Sequence, residues 1–227
     1  QLEGERIAMA TPKPATIKAV TNAVHELVRE LDAEANLPLG IGFPAALRRG
    51  MALSAVNLAG EWQYADVIAA FSKEFERPVA VINDGDAAGL AEVLYGSGRG
   101  VQGTILVVTL GTGVGTSLIH NGRLIPNIEL GGLHVRGKPA GERVANSVRE
   151  KKKLSWGRWA KDLSNFIEQL DVAASPELVI LGGGVSKKAH KFVPLIRASV
   201  RVVPASLRND AGIAGAAANA AFTLPRT

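Results

Sequence analysis

The sequence predicts an α/β protein built in two lobes, and three observations carry that expectation. Apolar residues recur by turns at helical spacing and in short runs rich in Val, Ile and Leu, so helices and strands alternate along the chain. The run Val79-Ala80-Val81-Ile82 stops abruptly at Asn83-Asp84, and an Ala-rich helical pattern follows at once. Glycine-bearing turns at 111–113 and 182–184 stand at the ends of apolar runs. With 227 residues, 47% hydrophobic and 21% charged, the chain has material for a sizeable core and is not of the disordered class. Residues 1–85 are expected to form a small N-terminal lobe and residues 86–210 a larger one. Residues 211–227 are expected to return as a helix toward the first lobe.

The elements follow in order. Glu5 to Ala10 predicts a strand, ended by Thr11-Pro12-Lys13-Pro14. Ile17, Val20, Val24, Leu27, Val28 and Leu31 repeat at helical spacing and predict a helix over about 16–33. Leu39 to Phe43 reads as a buried strand, followed by a short hairpin around Arg49-Gly50 with 51–55 returning. Tyr64 to Phe75 predicts a helix with Val67, Ile68, Phe71 and Phe75 inward. After the strand and helix that meet at Asn83-Asp84, Thr104 to Leu110 and Val114 to His120 predict two strands, and Asn121-Gly122 signals a hairpin return. Helices are expected over about 140–150 and 155–172, the second with an apolar stripe of Trp156, Trp159, Leu163, Phe166, Ile167 and Leu170. The strand Glu177 to Leu181, a helix near 190–198, the strand Arg201 to Val203 and an Ala-rich helix over 211–222 complete the chain.

Composition narrows the function classes. The chain has no cysteine, which excludes disulfides and thiolate metal sites and fits a reducing cytoplasm. No apolar run is long enough to span a bilayer, so no membrane partner is expected. The net charge of +5 and pI near 9.6 can mean nucleic acid, an anionic membrane or a polyanionic small substrate. Lys151 to Lys153, Lys187, Lys188 and Arg208 are candidates to line its path, with a merely solvated surface as the plainer reading for the triple Lys.

Chemistry concentrates in four segments. Asn83 and Asp84 stand at the carboxyl end of a strand, the edge at which open α/β sheets place their ligands. Asn supplies a donor and an acceptor, so the pair suits a polyhydroxylated ligand, with the carboxylate as base toward one hydroxyl. Helix capping is the plainer role for Asp84. Gly111-Thr112-Gly113 offers backbone N–H groups and a hydroxyl to phosphate oxygens. Gly182-Gly183-Gly184 lies between a buried strand and an expected helix start, where amides and helix dipole both favour an anion. It lacks the spacing of a Walker loop or a dinucleotide fingerprint. Glu129 sits in a glycine-flanked loop.

Together, Asn83-Asp84-Gly85-Asp86-Ala87-Ala88-Gly89, Thr109-Leu110-Gly111-Thr112-Gly113-Val114-Gly115, Pro126-Asn127-Ile128-Glu129-Leu130-Gly131, Leu181-Gly182-Gly183-Gly184-Val185-Ser186 and Asn209 through Ile213 resemble sugar kinases of the repressor/open-reading-frame/kinase (ROK) type. More narrowly, they resemble its polyphosphate glucokinases, including the glucomannokinase branch. The resemblance implies an actin-like (ribonuclease H-like) ATPase fold, with a cleft between two lobes. It also implies phosphoryl transfer from polyphosphate or ATP to the 6-hydroxyl of glucose, with mannose as a second sugar, and with Mg²⁺. Asp84 is then the general base. Asn57, Asn83, Glu129 and His134 join it as sugar-binding candidates, and Gly111 to Gly113 and Gly182 to Gly184 bind the donor phosphates. The resemblance further implies a homodimer and no nucleic-acid partner, and the missing cysteines argue against the zinc site of many relatives.

The chain also departs from the pattern. The family's front hairpin, Asp-x-Gly-Gly-Thr, has no counterpart in these residues, so the sequence reads as cut at its front. Gly132 stands where relatives carry a sugar-binding His, and His134 where they often carry Glu. These departures motivate an alternative, a kinase-fold protein that binds sugar or polyphosphate without turnover. A transcriptional regulator of the same superfamily needs a helix-turn-helix segment, which the sequence does not present.

Overall fold

The computed structural model describes residues 6–31, 37–55, 58–75 and 77–224, which divide into two units. The first comprises Gln1–Ala87 with Ile213–Thr227, the second Ala88–Gly212.

In the first unit, β1 (Leu39–Phe43) pairs in parallel with β4 (Val79–Asn83), Phe43 opposite Asn83. Helices α1 (Ile17–Glu30) and α2 (Val67–Glu74) pack together beside them. Thr16 caps α1 through the Ala19 N–H, and Asp66 caps α2 through the Ala69 N–H, which fixes where each helix starts. The core gathers Val28, Phe43, Trp62, Val67, Phe71 and Phe75, with the Trp62 indole N–H donating to the Ala15 carbonyl at 3.0 Å. Between β1 and α2 runs a small hairpin of β2 (Leu47–Arg48) and β3 (Met51–Ala52).

Helix α6 (Ala211–Thr223) crosses β1 and the start of α3 (Asp84–Tyr95) at very close range. A Cβ at Gly40 would lie 2.1 Å from the Ala216 carbonyl oxygen, and one at Gly215 would lie 1.7 Å from that of Ala87. Only glycine permits either approach.

The second unit is organised by a five-stranded sheet in the order β11 (Arg201–Pro204), β10 (Leu178–Gly182), β5 (Thr104–Leu110), β6 (Val114–His120) and β7 (Arg123–Ile125). The first three strands run parallel, and β6 and β7 return antiparallel through tight turns. Period-two alternation sends Leu106, Val108, Leu110, Val179 and Leu181 to one face. There they meet Trp159, Leu163, Phe166 and Leu170 of α5 (Trp156–Ala174). Ile105, Val107, Leu178 and Ile180 point to the other face, with Val93 of α3. Both faces are covered, which explains strands that read as near-continuous apolar runs.

Several expectations are corrected. Residues 6–10 belong to no strand of the four sheets among the described residues, and Glu5 lies outside those residues. Helix α2 begins at Val67 rather than Tyr64, and Ile68 is exposed: Val67, Phe71 and Phe75 alone hold the inward 3.6-residue stripe. The helix expected over 140–150 splits into a 3-10 turn, Ala140–Glu142, and α4 (Asn146–Lys151). The Val144 carbonyl goes to the buried Trp159 indole N–H at 3.1 Å, and the extended Ala145 breaks the helix. No α-helix forms over 190–198. The chain there runs through 3-10 segments, Gly184–Lys191 and Val193–Leu195, with non-helical backbone at Lys188 and again at Phe192 between them. A hairpin of β8 (His134–Val135) and β9 (Lys138–Pro139) had no clear sequence signal.

Candidate active site

Asn83 and Asp84 occupy the junction of β4 and α3 in the first unit. Val79, Ala80 and Ile82 are buried, which anchors the strand below them. The Asn83 side-chain oxygen accepts the Asp86 N–H at 3.0 Å and so serves the first turn of α3. Asn83 therefore takes the capping task the sequence left open for Asp84, and keeps its amide NH₂ as a donor. The Asp84 carboxylate accepts the Gly85 N–H at 2.8 Å. Its surface is open, as a proton acceptor requires. Even so, desolvation by surrounding protein raises its carboxyl above the ordinary value, outweighing the hydrogen bonds that act to lower it. A carboxylate with raised proton affinity is better matched to base catalysis near neutral pH. Asn57 lies outside the described residues.

The remaining candidates belong to the second unit. Gly111, Thr112 and Gly113 turn β5 into β6, with the Gly111 N–H donating to the Gly113 carbonyl at 3.0 Å. Ser147 braces the outside of this turn. Its N–H donates to the Gly111 carbonyl at 3.1 Å and its hydroxyl to the Thr112 carbonyl at 2.7 Å. A Cβ at Gly111 or Gly113 would meet nothing within 4 Å, so internal packing does not demand glycine at either position.

Gly182 ends β10 opposite Thr109, and Gly183 follows with φ +84. Because a Cβ at Gly183 would stand 2.5 Å from the Leu110 carbonyl oxygen, the two glycine turns lie side by side. The segment that opens at Gly184 is 3-10 rather than α-helical, so its dipole is a weaker attraction for an anion than the sequence suggested.

Glu129 is exposed between two anchored neighbours. The buried Thr116 hydroxyl of β6 donates to the Ile128 carbonyl at 2.5 Å and accepts the Leu130 N–H at 2.9 Å. Gly131 packs so tightly on the Val114 carbonyl that a Cβ would lie 2.3 Å away. This loop is thus tied to the start of β6, directly after the 111–113 turn. His134 is exposed at the head of β8, and its carbonyl accepts the Gln169 amide of α5 at 2.8 Å. The bonds seen there lead to α5 and not to the glycine turns. Sequence reasoning missed Thr116 and Ser147, whose roles arise only once the strands are paired.

The fold is that of the sugar kinases of the actin-like ATPase class. The structure of the inorganic polyphosphate/ATP-glucomannokinase from Arthrobacter sp. strain KM superposes with a TM-score of 0.91 at 44% identity, covering 99% of this chain and 90% of that one. A ROK family glucokinase from Streptomyces griseus, in complex with glucose and AMPPNP, shares the fold with a TM-score of 0.78 at 20% identity, covering 94% and 90%. The polyphosphate glucokinase of Mycobacterium tuberculosis is 43% identical over 218 residues, 96% of this chain and 82% of that protein. The ROK family model matches residues 1–132. The chain belongs to the ROK family.

Proposed function

We propose that the chain transfers a phosphoryl group from inorganic polyphosphate or ATP to the 6-hydroxyl of glucose, with mannose as a second sugar. The observation that carries this reading is the Asp84 carboxylate, open to a ligand at a strand end and raised in proton affinity by desolvation. It sits in a chain 43% identical to a polyphosphate glucokinase. Asp84 takes the proton of the 6-hydroxyl as that oxygen forms its bond to the terminal phosphorus. The bond from phosphorus to the rest of the donor breaks, and ADP or the shortened polyphosphate leaves. Such chemistry asks the protein mainly for positioning and charge neutralisation.

Asn83 and Asn57 bind other sugar hydroxyls, and Glu129, with His134 beside it in sequence, holds the ring. The backbone amides of Gly111 to Gly113 and Gly182 to Gly184 receive the donor phosphates. The open space at Gly111 and Gly113 supports this role, since the fold itself does not require glycine there. Lys187, Lys188 and Arg208 are exposed and lend positive charge to a polyanion.

Mg²⁺ is read as part of the donor. Among the described residues no three His, Asp or Glu side chains gather into a cage, and Mg²⁺ is commonly held by one or two carboxylates together with substrate phosphates. When bound, it neutralises phosphate charge. The working expectation is a cytoplasmic homodimer, on the family resemblance; among the described residues no helix is long and apolar enough to cross a membrane.

The direct test measures glucose 6-phosphate formed from polyphosphate and from ATP, with Asp84→Ala as control and mannose in parallel. Equal rates in wild type and variant overturn the assigned base. Sugar binding by calorimetry without transfer from either donor favours the alternative of binding without turnover, which Gly132 and His134 motivate.

A further inference from the structure

Glu92 is a buried carboxylate, 1% exposed, in the last turn of α3, and none of the roles above uses it. One oxygen accepts the Ser97 N–H at 2.9 Å, the Ser206 N–H at 3.1 Å and the Ser206 hydroxyl at 3.3 Å. The other accepts the Leu207 N–H at 2.7 Å. Four donors converge on one side chain, three of them from backbone or hydroxyl groups more than a hundred residues away in sequence. Gly96 makes room for the carboxylate to curl back, since a Cβ there would lie 2.2 Å from its oxygen. Ser97 adds a second tie, its hydroxyl donating to the Pro204 carbonyl at 2.7 Å.

What this clamp holds is the exit of β11, beside the 182–184 turn. Pro204 pairs with Leu181, and the Ala205 N–H donates to the Leu181 carbonyl at 2.9 Å. The Ala205 methyl lies against Gly182, at 3.5 Å from where a Cβ would be. The turn Arg208–Asp210 packs on the segment Gly184–Lys191. Gly183 in turn rests on Leu110, at the root of the 111–113 turn. A continuous path of hydrogen bonds and contacts therefore runs from Glu92 to both glycine turns.

We propose that Glu92 is a positioning residue for the phosphoryl donor: by fixing residues 204–207 it sets the geometry of the 182–184 turn that receives the donor phosphates. This rests on the donor role given to that turn above. A carboxylate suits the task because it offers only acceptors to four donors. Glutamine turns one of its two oxygens into an NH₂ group that faces an N–H.

The test compares wild type with Glu92→Gln, measuring KM for ATP and polyphosphate, KM for glucose, and the binding of ATP and polyphosphate by calorimetry, all well below the melting temperature. The expected result is donor KM and Kd raised about tenfold with the glucose KM within about twofold of wild type. Ser97→Ala, which keeps Glu92 and loses only the tie to Pro204, is expected to shift donor binding the same way by about threefold, and decides the matter if Glu92→Gln does not fold. A lower melting temperature with both KM values unchanged, or an equal change in both, overturns the inference and leaves the transfer reading intact. If wild type binds donor but transfers no phosphate, the transfer reading fails, and the donor Kd of the variants still decides the role of Glu92. A wild type that binds neither donor overturns both.

Discussion

The α-carbon of Gly183 faces the Leu110 carbonyl so closely that a methyl group on it would stand 2.5 Å from that oxygen, with the Gly183 backbone at φ +84. Gly183→Ala therefore meets both a left-handed backbone and a clash with main chain. The backbone alone costs about 1–2 kcal/mol, so the melting temperature is expected to fall by roughly 2–8 °C. Gly113→Ala meets open space and is expected to change stability by less than about 0.5 kcal/mol while raising the donor KM. Thermal melts and donor titrations on the two variants separate a glycine kept for packing from one kept for a ligand. Equal melting temperatures would contradict the assignment.

Asp84→Asn is expected to lower kcat by about 10²- to 10⁴-fold, the usual worth of a positioned base. It also has a signature in stability. The folded carboxyl is raised above its unfolded value, so the fold disfavours the charged form. Below the ordinary carboxylate range the group is protonated in both states and the penalty is absent. It grows as pH rises and is fully present above the raised folded value. The variant should therefore melt above wild type at neutral pH, and the gap should close on acidification. Melts across an acid-to-neutral series check this, and a gap independent of pH counts against it. Wild-type kcat/KM should fall as pH drops through the same raised value.

Thr116→Val preserves shape but leaves the Ile128 carbonyl and the Leu130 N–H without their partner. The expected loss is about 1–3 kcal/mol of stability. With Glu129 released from its brace, the glucose KM should rise while the donor KM holds. Steady-state kinetics in both substrates provide the readout, and an effect confined to the donor would be inconsistent with a sugar role for Glu129.

Gly40→Ala tests the helix contact of the first unit. The added methyl group would meet the Ala216 carbonyl oxygen at 2.1 Å, so α6 must move away from β1. Overpacking of this kind costs typically 1–3 kcal/mol, or more against rigid backbone. Hydrogen exchange should show faster opening of α6 than in wild type, and unchanged protection would contradict the contact.

Local chemistry was legible in the chain itself. The bounds of β1, β5 and β6 follow from stretches that end at glycine, proline or a hairpin dipeptide, signals contiguous with the strands themselves, and of the three β5 is the one buried along most of its length. The junction at Asn83 and Asp84 could be read for the same reason: strand, amide, carboxylate and helix are contiguous. Helices were harder. The stretch expected as a helix over 190–198 holds only 3-10 turns, because the backbone leaves helical geometry at Lys188 and again at Phe192. Ile68 fits the helical period and is nonetheless exposed.

The sequence by itself determined the α/β class, the position of the candidate base and the location of the glycine turns, each a property of a few adjacent residues. Tertiary structure alone decided which glycines are required by packing and which face open space. It also revealed that Thr116 braces the Glu129 loop and that Glu92 clamps Ser206 across 114 residues of sequence. The reason is physical. Hydrogen bonds and close contacts depend on distances of a few ångströms between segments that only folding brings together, and no spacing along the chain encodes them.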